Sequence, residues 1–145
     1  MEGRALEIIV VGKPIAKARP RFAKRGRFVQ TYNAQETEEG MFISHVLHQI
    51  GADFNPIEGP LCVDMEFFMC RPKSHYGTGR NADKIKNSAP KWPTKKPDLD
   101  NCEKFVLDCL NAIVFHDDAQ VVKTTAIKEY ARHPKTVIKI TRVEE

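Results

Sequence analysis

Asp98 and Asp100 stand two positions apart in the run Lys96-Pro97-Asp98-Leu99-Asp100-Asn101, just ahead of an amphipathic stretch. A second acidic pair, Asp117-Asp118, follows just behind that stretch, and one lysine, Lys104, lies a helical turn beyond Asp100. Pro97 biases the residue before it towards extended geometry. If Asp98–Asp100 is also extended, carboxylates two positions apart face the same side. A few carboxylates completed by water are what Mg²⁺ takes as ligands. Such an ion can activate water and stabilise charge on a phosphoryl group, and a neighbouring lysine adds positive charge at the same place. The chemistry implied is phosphodiester hydrolysis, with the acids and Lys104 converging at one helix end.

Each residue alone has a plainer role. Asp100 is a good N-cap, and Glu103 would complete a capping box. Lys104 and Asp108 could form an exposed i,i+4 pair, and Asp117-Asp118 could be turn residues. The conjunction of four acids from two segments around one helix favours the metal site.

Charge segregation points to the substrate. The net charge is only +4. Yet residues 13–27 contain Lys13, Lys17, Arg19, Arg21, Lys24, Arg25 and Arg27 with no acid, and residues 71–97 hold Arg71, Lys73, Lys95, Lys96 and other bases against the single acid Asp83. Basic residues gathered in loops mark a polyanion-binding surface. Lys13, Lys17, Arg19, Arg21, Arg27, Arg71, Lys73, Lys95 and Lys96 are the candidate DNA contacts.

The elements that must position these groups read as one α/β domain spanning residues 1–145, with basic loops at 13–27 and 71–97. Ala5–Val11 is a strand, and Arg27–Thr31 a second, short one. Asn33 with Glu36 forms a capping box for a helix that turns Phe42, Ile43, Val46, Leu47 and Ile50 inward and stops at Gly51. Alternation of Leu61, Val63, Met65, Phe67 and Met69 predicts a strand. Residues 71–97 predict a long loop, mobile until a ligand orders it. The second helix begins near Asp100. It buries Cys102, Phe105, Val106, Cys109, Leu110 and Ile113 and exposes Asp100, Lys104, Asp108 and Asn111, with Leu107 out of place on the polar side. Val121–Tyr130 and Thr136–Arg142 are strands joined by a turn at Arg132-His133-Pro134. The fold class is a small mixed β-sheet with two helices packed on it.

Composition excludes other classes. No apolar run approaches the roughly 18 residues of a membrane span, and the apolar stretch at Ile8–Val11 is too brief for a signal peptide, so a cytoplasmic protein is expected. Cys62, Cys70, Cys102 and Cys109 lack metal-ligand spacing, which fits free, buried thiols rather than zinc.

The segment Pro97-Asp98-Leu99-Asp100-Asn101, with Lys104, Asp108 and Leu110 and then Asp117-Asp118-Ala119-Gln120-Val121-Val122, resembles the RusA family of Holliday junction resolvases, small phage- and prophage-associated endonucleases. The resemblance implies that Asp98, Asp100 and Asp118 are the essential metal-binding acids and Lys104 the catalytic lysine. Asp117 matches a family acid beside the essential one, and Asn101 stands next to the motif's acids; both are candidates for support around the metal. It further implies a RusA-like fold, Mg²⁺ with Mn²⁺ as a substitute, four-way DNA junctions as substrate in recombination and repair, and a homodimer. Residues 71–97 are longer than a compact family member needs. Two rival readings stand beside this one: a branched-DNA-binding protein without catalysis, and a metal nuclease acting on flaps or RNA.

Overall fold

The computed structural model describes residues 5–18, 21–25, 28–32 and 35–144, with 21–25 and 28–32 described by backbone alone. Arg19 and Arg27, expected among the DNA contacts, lie outside the described residues, as does Asn33.

Among the described residues, six strands and two α-helices follow in the order β1 (Ala5–Val11), β2 (Arg21–Arg25), β3 (Phe28–Tyr32), α1 (Glu36–Ile50), β4 (Leu61–Cys70), α2 (Leu99–Leu110), β5 (Val121–Ala131) and β6 (Lys135–Arg142). β1, β6, β4 and β5 form a mixed four-stranded sheet in that spatial order. β4 runs antiparallel to β6 and parallel to β5. A parallel neighbour needs a crossover, and α2 supplies it between β4 and β5. β2 and β3 form a separate antiparallel hairpin. A third of the expected 13–27 loop is therefore a strand, and Arg21 opens β2.

The turn at Arg132-His133-Pro134 does not join paired strands. β5 and β6 flank β4 on opposite sides, so the connection steps over the end of one strand. Two strand spacings are about 9.6 Å, a distance three residues can span at about 3.3 Å each.

One face of the sheet carries the core. Leu61, Val63, Met65 and Phe67 of β4 are buried there with Ile138 and Ile140 of β6 and Ile8 of β1. α1 contributes Phe42 and Val46, and α2 contributes Cys102, Phe105, Val106, Cys109 and Leu110, as its helical spacing requires. The rings of Phe42 and Phe105 meet edge to face at 5.4 Å, joining the two helices. Three expectations change here. Leu47 is exposed rather than inward, while Leu107 is half-buried against the core rather than stranded on the polar face. Cys62 is half-buried and Cys70 exposed, so burial holds only for Cys102 and Cys109.

α1 ends as expected at Gly51, whose positive φ of 88° suits glycine and whose N–H bonds to the Leu47 carbonyl. Its start differs: Gln35, not Asn33, holds the N-cap position, without a capping side-chain bond. No helix among the described residues is long and apolar enough to cross a membrane.

Candidate active site

α2 fixes the first acidic pair. Asp98 occupies its N-cap position in extended geometry (φ −71°, ψ 141°), but its side chain makes no capping bond. The Lys96–Pro97 peptide just before it is cis. Asp100 lies inside the first turn, where its carboxylate accepts the backbone N–H of Asn101 at 3.0 Å. The expected N-cap at Asp100 with Glu103 as box partner is therefore not what forms. Both carboxylates are left at the surface, and Lys96 reaches Asp98 only at 3.8 Å. Lys104 is exposed one turn on and makes no ion pair with any described residue.

The second acidic pair is held by an amide that the sequence reading did not single out. Gln120 uses its whole side chain: its Oε1 accepts the backbone N–H groups of His116 and Asp117, and its Nε2 donates to the carbonyls of Ile57 and Gly59. Asp117 accepts from the Ala119 N–H, closing a capping box with Gln120 over the short 3-10 turn Asp118–Gln120. The signal was present: Asp117 followed three residues later by Gln120 fits the acid-to-amide spacing of a capping box. Asn111, at the C-cap of α2, accepts the N–H of Asp118 at 3.1 Å. The bond from the Ala119 N–H holds the Asp117 carboxyl below its ordinary range, with help from the Asp118 side chain. The hydrogen bond to Asp117 raises Asp118, and burial and the negative charges of Asp117 and Asp108 push the same way. Asp117 thus serves the turn, while the Asp118 carboxyl, exposed beside it, stands above its ordinary range.

The acids do not converge at one helix end within one chain. Asp98 and Asp100 sit at the N-terminus of α2, and Asp118 sits beside Asn111 at its C-terminus. A 12-residue helix is about 18 Å long. Accordingly, no group of three or more His, Cys, Asp or Glu side chains placed to hold a metal occurs among the described residues.

Several expected DNA contacts have other partners. Lys17 lies between the helices, 3.0 Å from Glu39 on α1 and 3.3 Å from Asp108 on α2. Partial burial alone would lower its pKa, but the bonds to Glu39 and Asp108 outweigh it and raise the ammonium above its usual value. Its backbone N–H bonds to the Asn101 carbonyl, and the Gln35 amide holds Ala16 and Ala18 on either side. The first basic segment is thereby strapped across α2. Arg71 stacks over the Tyr130 ring at 4.3 Å and donates to the Pro90 carbonyl at 2.7 Å. Lys13, Lys73, Lys95 and Lys96 are exposed. The segment 71–97, expected to be a mobile loop, follows a defined path through two 3-10 turns, Lys73–His75 and Gly79–Asn81, and a bridge between Tyr76 and Ile85.

A family model described as "Endodeoxyribonuclease RusA" matches residues 12–141. The chain is also similar to the uncharacterized protein YqaN of Bacillus subtilis (strain 168), at 28% identity over 141 residues covering 95% of this chain and 96% of that protein.

Proposed function

Because the chain belongs to the RusA endodeoxyribonuclease family, we propose that it is a Mg²⁺-dependent resolvase of four-way DNA junctions, active as a homodimer in recombination and repair. The observation that carries this reading is the pair of surface carboxylates at the start of α2. Asp98 does not cap the helix through its side chain, and both carboxylates stand exposed at the surface, where a ligand can reach them. Two hard oxygen donors, with water and a substrate phosphate, make up a donor set that suits Mg²⁺ and also admits Mn²⁺. When bound, the ion supplies the positive charge that activates water and stabilises the reacting phosphodiester.

The chain's own groups divide the remaining work. Asp98 and Asp100 hold the metal. Lys104, exposed on α2, offers its ammonium to the phosphate and stabilises developing negative charge. Lys13, Lys73, Lys95 and Lys96 hold the arms through phosphate contacts, which recognise shape rather than base sequence. Lys17 has no such role, since two carboxylates already neutralise it.

The separation of Asp118 from Asp98 and Asp100 favours a dimer. Two copies packed with their α2 helices antiparallel about a two-fold axis would bring the N-terminus of one beside the C-terminus of the other. Asp118 of the partner subunit would then complete each metal site. The same axis would supply two sites for the two symmetric nicks that resolve a junction.

The test is incubation of the protein with a synthetic four-way junction and a matched linear duplex, each with and without Mg²⁺. Symmetric nicks in the junction that depend on the metal are expected. Salt-sensitive binding without cleavage would instead support a branched-DNA-binding protein, and preferential cutting of flaps or RNA would move the substrate.

A further inference from the structure

A cleft of about 280 Å³ opens beside the first acidic pair. Its apolar lining includes Met69, Pro93 and Tyr130, and its charged lining is Lys13, Lys95 and Lys96 with no acid. Pro97 also lines it and is the chain neighbour of Asp98. The walls are fastened from below. Lys128 of β5 donates to the carbonyls of Lys95 at 3.0 Å and Pro97 at 2.9 Å. Arg71 stacks on Tyr130 and bonds to Pro90, tying the 71–97 segment to β5. The cleft is therefore a built feature of the fold, adjoining the acids through one residue of chain.

We infer that this cleft captures one unpaired nucleotide of the DNA substrate next to the bond that is cut. The inference rests on the nuclease reading and specifies what that nuclease recognises. An apolar lining suits the faces of a planar base, with Tyr130 lending the wall a ring that Arg71 already covers on one face, and base–aromatic contact is tolerant of sequence. Three lysines with no opposing acid suit the flanking phosphates. The volume falls just below the usual range of ligand pockets, the scale of a single nucleoside rather than a base pair. A base inside a duplex cannot enter without unstacking, and that cost is least where the base is already unpaired. At the branch point of a four-way junction the stack is interrupted, so a base there leaves its pair at lower cost than in a continuous duplex. Preference for branched DNA then follows from base capture at the cleft, in addition to the shape of the arms.

The experiment uses the full chain in EDTA, so that binding is read without cleavage. Its probes are three duplexes of one length: fully paired, carrying one unpaired nucleotide, and carrying the same unpaired position as an abasic residue. The abasic bulge keeps the bend and the phosphates and removes only the base. Affinity for the base-bearing bulge should exceed that for the abasic bulge by about tenfold. Met69→Trp, which fills the cleft, should erase the difference while leaving binding to paired duplex in place. If that variant fails to fold, the abasic contrast in the unaltered protein still decides. Equal affinity for the two bulges would overturn base capture. A protein that cuts junctions but ignores the base loses this inference alone. One that discriminates the two bulges yet cuts no DNA with Mg²⁺ or Mn²⁺ keeps the cleft and loses the nuclease.

Discussion

The ammonium of Lys17 lies 3.3 Å from the carboxylate of Asp108, and through its second partner Glu39 it links α2 to α1. Both bonds are charge-assisted and only partly exposed, so they hold the first basic segment against the helix that carries the acids. Lys17→Met should lower stability by about 1–2 kcal/mol in denaturant unfolding, in the range for hydrogen bonds to charged groups discounted for exposure. It should leave the salt dependence of DNA binding unchanged, whereas each lost phosphate contact flattens the log–log slope by about one. Lys13→Gln and Lys95→Gln should show the opposite pattern. A flattened slope for Lys17→Met would return Lys17 to the DNA surface.

Asp98→Asn, Asp100→Asn and Asp118→Asn should each abolish cleavage with stability within about 0.5 kcal/mol of the parent, as for ordinary surface changes. At Asp98 no side-chain cap is lost, and asparagine is a good N-cap residue. At Asp118 the side chain already shares a hydrogen bond with Asp117, which an amide can continue to donate. Junction binding should persist or tighten, because a negative charge near phosphate is removed. Full activity in any one variant would remove that residue from the metal site.

Lys104→Ala should slow single-turnover cleavage by about 10²- to 10³-fold, the usual cost of one preorganised charge at a transition state. Stability should hardly change, since the side chain is exposed and unpaired among the described residues. Arginine should rescue only partly, because a planar guanidinium does not reproduce a compact ammonium. An unchanged rate would make Lys104 a plain surface charge.

Periodicity made the elements legible, but not their partners. The alternation of Leu61 to Met69 and the face formed by Cys102, Phe105 and Cys109 are local patterns, and the structure buries them as those patterns require. Leu47 and Leu107 exchanged their expected environments because helical spacing sets a face but not how far the neighbouring element extends over it. That β5 and β6 flank β4 is a matter of long-range pairing, to which the turn at Arg132-His133-Pro134 gives no clue. The acids were legible as chemical types, and their closeness was not. An i-to-i+18 separation such as Asp100 to Asp118 can close or span a helix, and here it spans one. Lys17 was counted as one basic residue among seven because Glu39 and Asp108 are distant in sequence.

The cysteines give a pH dependence with a defined sign. Burial pushes the Cys102 thiol up to about 11 and the Cys109 thiol up to about 12. Above about pH 9 the unfolded chain has lost thiol protons that the native state still holds. Stability should therefore fall as pH rises from about 9 towards 11, and Cys109→Val should reduce that slope. A thiol reagent at pH 8 should modify Cys70 in the native protein but reach Cys102 and Cys109 only on unfolding. Rapid reaction of all four thiols in the folded chain would contradict the burial.

The dimer reading can be tested by mixing two inactive proteins. Asp98→Asn and Asp118→Asn homodimers each lack an acid in both sites. If each site takes Asp98 and Asp100 from one subunit and Asp118 from the other, a mixed dimer places both changes in one site and leaves its second site intact. Mixing after unfolding and joint refolding should then restore nicking of one junction strand, with about half of the dimers mixed if exchange is random. If all three acids acted within one chain, each chain would carry its own defect and the mixture would stay inactive. Sedimentation should show twice the 16.5 kDa chain mass in the same samples. Restored nicking together with that mass would establish that the two ends of α2 meet across the two-fold axis, and a silent mixture of well-formed dimers would overturn the shared site and return Asp118 to the same chain as its Asp98 and Asp100.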